Sequence, residues 1–194
     1  RAGGDRPGAS DESVRLWDAQ TGAALRVLTG HKDTVPGLAW SPDGRTIASG
    51  GVDGSIRLWG VEKGIQEWVT SAGQAVQGTA FSPDAGAGGL LGVVVGNKAV
   101  LYRATDRREF RQLRHGEALA AIAFSAEGQW VLTASVSGAV KTWNPRTGSE
   151  LRTITTGSGL SAAVVSPDSR VIATGHTNGS IALWSLPDGM ELAT

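Results

Sequence analysis

Ser13-Val14-Arg15-Leu16-Trp17, Ser55-Ile56-Arg57-Leu58-Trp59, Lys98-Ala99-Val100-Leu101-Tyr102, Ala139-Val140-Lys141-Thr142-Trp143 and Ser180-Ile181-Ala182-Leu183-Trp184 are five versions of one segment. Their closing aromatics are 42, 43, 41 and 41 residues apart. In all but the third, apolar and polar residues alternate, as a strand with two unlike faces requires. A second block recurs upstream, as Trp40-Ser41-Pro42-Asp43-Gly44, Phe81-Ser82-Pro83-Asp84, Phe124-Ser125-Ala126-Glu127-Gly128 and Val165-Ser166-Pro167-Asp168-Ser169. Each reads as a strand end entering a tight turn, with Pro fixing one φ and Asp or Gly tolerating the next.

Repeats of about 40 to 45 residues, with four strands each and a Gly-His to Trp-Asp layout, describe WD40 units. The chain resembles the WD40 family over nearly its whole length. Gly30-His31 through Trp59 lies close to the family pattern, and Trp17-Asp18 supplies the name-giving dipeptide. Other units have drifted: one ends in Leu101-Tyr102-Arg103 and has Gln74 where His would stand, and the last reads Gly157-Ser158-Gly159 in place of Gly-His. The resemblance implies an all-β propeller whose blades each hold four antiparallel strands, a to d, from channel to rim.

Four full blades and a half are expected. Strands c and d at Ser13 to Trp17 and Ala24 to Leu28 make a half blade over 13–30, and full blades follow at 31–70, 71–113, 114–155 and 156–194. The second blade takes Val35 to Trp40, Thr46 to Gly50, Ser55 to Trp59 and Ile65 to Val69. The third takes Val76 to Phe81, Leu90 to Val95, Ala99 to Tyr102 and Glu109 to Leu113. The fourth takes Leu119 to Phe124, Trp130 to Ala134, Ala139 to Trp143 and Glu150 to Ile154; the fifth takes Leu160 to Val165, Val171 to Thr174, Ser180 to Trp184 and Met190 to Ala193. Residues 1–12, rich in Gly, Pro and polar groups over Arg1 to Ser10, read as a ragged or turn-like end. A ring of the usual seven blades needs roughly 290 residues, so the 194 residues read as the C-terminal piece of a longer propeller, with a self-assembling half ring as the alternative. Open-ended blades would expose apolar faces and unpaired edges.

Lys+Arg and Asp+Glu each number 18, for a formal net charge of zero, which argues against non-specific nucleic-acid binding. Cysteine is absent, which removes disulfides, thiolate metal sites and cysteine nucleophiles together. No apolar run approaches the ~18 residues of a membrane span, and no signal-like core opens the chain. A cytoplasmic setting is the default expectation, with neither membrane nor nucleic acid as a partner.

His31, Asp53 and Trp59 stand at the family spacing for a hydrogen-bonded structural network, in which the b–c turn Asp holds the His. The linking Ser or Thr position, counted nine before Trp59, falls on Gly50 with Ser49 beside it, so an incomplete network is expected. The alternative is a His–Asp acid/base pair; the repeat itself accounts for the spacing. His115 precedes Trp143 by 28 residues, as His31 precedes Trp59, but Ser137 takes the Asp position. His176 is expected in a solvated turn. Three histidines on different blades make no metal site, and no cofactor is expected. Gly86-Ala87-Gly88-Gly89-Leu90-Leu91-Gly92 misses the phosphate-loop pattern and joins two strands, so it reads as an enlarged a–b turn. Asn178-Gly179 reads as a hairpin turn and not as a glycosylation site.

The resemblance implies a non-catalytic platform that binds proteins or peptides near the channel mouth. The strand-a entrances and b–c turns that line that face correspond to Thr34, Pro36, Val52, Gln77, Ala118, Ala120, Val136, Ser161 and Thr177, small residues with no Arg, Trp or Tyr anchor. Arg103, Arg107, Arg108, Arg111 and Arg114 form the densest charge, on the third blade's c–d turn and strand d. There they discourage edge-to-edge pairing or meet an acidic partner. The expected role is a scaffold or sensor module of a longer regulatory protein; an enzyme would need convergent carboxylates or histidines, and none are seen.

Overall fold

The structure, a computed structural model, describes residues 12–84, 88–157, 159–186 and 188–194. All but the last residue of the stretch 1–12 read as a ragged end, the tip of the glycine-rich turn at 85–87 and residue 158 lie outside the described residues. Everything regular is strand. The first sheet has two strands, β1 (Val14–Trp17) and β2 (Ala24–Leu28). The second is β3 (Gly37–Trp40), β4 (Thr46–Gly50), β5 (Ser55–Gly60) and β6 (Ile65–Ser71), and the third β7 (Val76–Phe81), β8 (Leu90–Val95), β9 (Lys98–Arg103) and β10 (Glu109–Arg114). The fourth is β11 (Leu119–Phe124), β12 (Val131–Ser135), β13 (Ala139–Trp143) and β14 (Glu150–Thr155), and the fifth β15 (Leu160–Val165), β16 (Val171–His176), β17 (Ile181–Ser185) and β18 (Glu191–Ala193). Each is an antiparallel meander, as expected of propeller blades. The innermost strands β3, β7, β11 and β15 pack side by side in chain order, and the sheets do not close into a ring.

Small departures from the expected limits have local causes. Strand a of the second blade starts at Gly37 instead of Val35, because Pro36 has no N–H to give a ladder. Trp130 stays outside strand b of the fourth blade. His176 ends strand β16 instead of sitting in a solvated turn, and its Nε2 lies 3.1 Å from the Thr174 hydroxyl.

The core lies between blades. Ile56 and Leu58 of the second meet Val76, Leu91 and Val93 of the third, and Leu132, Val140 and Ile154 of the fourth meet Leu160, Ile172 and Trp184 of the fifth. At the ends the same positions are bare. Trp17 is 56% exposed whereas Trp59 is 2%; Leu38 and Trp40 on β3 are exposed too, and the first sheet has no strands beyond β1 and β2 among the described residues. At the other end Ile181 and Leu183 are exposed, although their counterparts Val140 and Thr142 are buried.

In every blade strand d bulges by one residue opposite the aromatic of strand c, Glu67 in the second and Phe110 in the third. The c–d turn that follows the aromatic needs one left-handed residue. Glycine supplies it at Gly22, Gly64, Gly148 and Gly189, but the third blade uses Arg107 at φ 61.

A channel-mouth cavity and three versions of a buried network

Strand a also bulges in the third, fourth and fifth blades, and the extra residues are Gln77, Ala120 and Ser161. A bulged residue leaves the ladder and is re-aimed. With Pro36, Ala118, Val136 and Thr177 these three line one cavity of about 1020 Å³ at the inner strands. Thr34 and Val52 are not in its lining; they sit together on the second blade, where the Val52 N–H donates to the Thr34 carbonyl at 2.8 Å. The same rung fastens the next mouths, Val136 N–H to Ala118 carbonyl at 2.9 Å and Thr177 N–H to Gly159 carbonyl at 2.7 Å. No Asp, Glu, Lys or Arg lines the cavity among the described residues. Sequence reasoning missed Leu38, Ile122 and Val164, which give it apolar walls; their alternation along strand a was the available signal.

Beneath the mouth, the second blade holds a complete relay. The Trp59 indole N–H donates to the Ser49 hydroxyl oxygen at 2.8 Å, Ser49 meets His31 Nε2 at 2.7 Å, and His31 Nδ1 faces both Asp53 oxygens at 3.2 Å. A carboxylate only accepts, so Nδ1 carries the proton and Ser49 donates to Nε2. The expectation of an incomplete network is corrected: the linking residue lies ten before the Trp, not nine, and Ser49 fills it. Burial would raise the Asp53 carboxyl, but the N–H groups of Ser55 and Lys32, the Ser55 hydroxyl and His31 outweigh it and hold it well below the carboxylate range. Burial lowers His31, against the pull of Asp53.

The fourth blade is wired otherwise. Trp143 donates to the Thr133 hydroxyl at 2.8 Å, and Thr133 meets His115 at 2.8 Å, but through Nδ1. Nε2 is buried with no hydrogen-bond partner among the described residues. Ser137, in the Asp position, and Ser135 both donate to Glu117, a carboxylate on the His115 loop. In the third blade the network is gone. The residue in the His place is Ala72 and not Gln74, because the Ala72 N–H donates to Gly54 just as the His115 N–H donates to Asn97. Val93, opposite Val100, takes the place of Ser49, opposite Arg57. An a–b turn three residues longer than that of the second blade, with a b–c turn one residue shorter, moves the His place from 28 to 30 residues before the aromatic. The fifth blade keeps the Trp184 to Thr174 bond, at 2.9 Å, and Asn178, in the Asp position, accepts from Ser180, with no histidine in the His place.

The arginine cluster is not one free surface. The Arg107 guanidinium donates to the Glu67 carbonyl at 2.9 Å and to its carboxylate at 3.1 Å, across the blade boundary. That carbonyl belongs to the bulged residue. Arg103 pairs with Asp106 at 3.7 Å, and Arg103 and Arg111 both lie over the Phe110 ring. Arg108 and Arg114 are exposed.

The family model described as WD domain, G-beta repeat matches residues 22–60, 108–144 and 148–185. The gap at 61–107 holds most of the third blade, where the network has been replaced by apolar residues. Human Coronin-7 is 32% identical over 71% of this chain, which is 14% of that protein. The rice small ribosomal subunit protein RACK1y is 40% identical over 40% of the chain and 23% of its own length. The Drosophila melanogaster protein groucho is 24% identical over 73% of the chain and 19% of its own length. The chain thus spans a minor part of each of these relatives. With repeat matches over more than half of its residues, in phase with the blades, the chain belongs to the WD40 family.

Proposed function

We propose that the chain is a non-catalytic interaction module of a longer, regulatory protein, and that a protein or peptide segment docks in the channel-mouth cavity. The observation that carries this reading is the cavity itself, lined by bulged residues of three successive blades and free of charged side chains. The acid/base alternative is disfavoured because the His31 and Asp53 side chains are only 1% and 10% exposed and are spent on Ser49, Ser55 and Lys32. No group of His, Cys, Asp and Glu suited to a metal occurs among the described residues, and no cofactor is assigned. No helix among them is long and apolar enough to cross a membrane. A cytoplasmic setting is part of the proposal. So is the supply of the first blade's inner strands, and of further blades, by the rest of a longer chain, which would cover Trp17, Leu38 and Trp40 at one end and Ile181 at the other.

Peptide-library selection on the chain, with Ala118→Arg and Ser161→Arg as blocked controls, tests the docking site. Peptides that bind the parent and lose both variants at unchanged melting temperature are expected; peptides that bind all three equally would remove the cavity from the proposal. Light scattering tests the supply of blades. A stable, defined dimer would favour a second copy as the source.

A further inference from the structure

Glu117 occupies the place that Asp33 holds in the second blade, two residues past the histidine. There Asp33 turns away and caps Thr34, accepting its N–H at 2.7 Å, and Asp53 serves the imidazole from the b–c turn. In the fourth blade the only carboxylate bonded to that turn among the described residues is Glu117, which takes the hydroxyls of Ser135 and Ser137. Ser135 in turn accepts the Ala139 N–H at 3.0 Å and lies 2.8 Å from Ser137. The carboxylate therefore ties the His115 loop to the b–c turn while the imidazole beside it stays half paired. Whichever ring nitrogen carries the proton, Nε2 is left buried and without a partner among the described residues, which is unfavourable for a polar group.

Three features make this arrangement switchable. Turning the imidazole over would place Nε2 on Thr133 and Nδ1 toward the turn, the orientation His31 already has. Gly116, between His115 and Glu117, has φ +97 and nothing within 4 Å of where a Cβ would stand, so the link between the two residues carries no side chain that would restrict it. Glu117 and His115 are within electrostatic reach of each other. The other charged groups near the ring are Lys141 on β13 and Glu150 on β14, which pair at 2.9 Å.

We propose that Glu117 is the latent partner of His115, and that protonation of the imidazole draws this carboxylate off Ser135 and Ser137, loosening the turn that carries Val136 at the channel mouth. The proton comes from solvent and resides on the ring, so the loop gains a His–Glu ion pair as the turn loses two hydrogen bonds. Because Val136 N–H is bonded to the Ala118 carbonyl and both residues line the cavity, the docking proposal would acquire a pH dependence; the inference rests on that reading for its consequence only. Burial first, and then Lys141, lower the imidazole, against Glu117 and Glu150. Its charging therefore falls on the acid side of the ordinary histidine value of about 6.5.

The test is an NMR titration of the whole chain from about pH 7.5 to 4.5, following the His31 and His115 rings and the amides of Ala118 and Val136, without ligand. The expected result is that these two amides shift with the midpoint of His115 and not of His31, and that the shift disappears in Glu117→Gln. A second variant, Ser137→Asp combined with Glu117→Gln, gives the ring a fixed acceptor, as in the second blade, and should hold the amides still. Amides that do not move in the parent, or that move equally in Glu117→Gln, would overturn the switch. Since no partner is present, a failed titration leaves the peptide selection untouched, and a failed selection leaves the titration untouched.

Discussion

The second and fourth blades begin from the same parts, a histidine 28 residues before a tryptophan and a strand-b hydroxyl between them. In the second, each group that donates finds one that accepts, from the Trp59 indole through Ser49 and His31 to Asp53. In the fourth, the line stops at the ring and the acid serves two serines instead. Among the differences between them, the one that removes the end of the line is Asp53 against Ser137 in the b–c turn. A buried hydrogen-bond relay thus depends on its terminus: with a carboxylate at the end every member is paired, and without one a buried polar atom remains.

Removing the anchor of the stronger relay should have the largest effect. Trp59→Ala is expected to lower the unfolding free energy by about 3–5 kcal/mol through lost volume, since the indole is almost wholly buried among Val14, Leu16, Leu28 and Ile47. Equal denaturation midpoints for variant and parent would contradict this placement of the ring.

The next contrast tests the terminus directly. Asp53→Ala leaves the N–H groups of Lys32 and Ser55 without their acceptor and His31 Nδ1 with the Ser55 hydroxyl in place of a carboxylate, and should cost about 2–3 kcal/mol, whereas Ser137→Ala should cost no more than about 1 kcal/mol. The comparison breaks if urea titrations give the two variants equal losses. The pH dependence has a definite sign. Asp53 is depressed in the folded chain, so its contribution is present above the unfolded carboxylate value of about 3.9 and is lost as pH falls toward the folded value. Asp53→Asn should therefore flatten the acid limb of the stability curve.

Much of this was legible in the residues. Alternation in strand c and the Ser-Pro-Asp turns placed strands in all five sheets, because both are local effects. The residues expected at the mouth were chosen by phase alone, and all but Thr34 and Val52 line the cavity; whether a partner binds there belongs to the proposal. Glu117 was not found, because its role arises from a loop meeting a turn across the sheet, which no spacing rule records. Ser49 and Ala72 were misplaced by miscounts of one and two residues. The Arg107 clasp was hidden for another reason: nothing in Thr105-Asp106-Arg107-Arg108 announces a left-handed backbone or a partner 40 residues earlier.

The third blade sharpens the comparison from the apolar side. The sequence alone suggests that Tyr102→Trp is tolerated, since Trp holds that place elsewhere. The structure reverses the expectation, because Val93 stands where a hydroxyl would accept the indole N–H. Tyr102→Trp should cost about 1–2 kcal/mol, and Val93→Thr in the same chain should recover most of it. If the double variant is no better than the single one, the hydroxyl is not the missing element.

The smallest expected effect concerns Arg107, which trades backbone ease for a clasp. A non-glycine residue in the left-handed region costs of order 1 kcal/mol, and the two hydrogen bonds to Glu67 are partly exposed and of comparable worth. Arg107→Gly loses the clasp but relieves the backbone, so it should fall within about 0.5 kcal/mol of the parent. Arg107→Ala loses the clasp and keeps the strain, and should be about 1 kcal/mol less stable than the glycine variant. The order glycine above alanine in thermal or urea unfolding identifies the turn as the source of strain. Alanine equal to glycine would mean instead that the left-handed conformation is imposed by the clasp and relaxes without it.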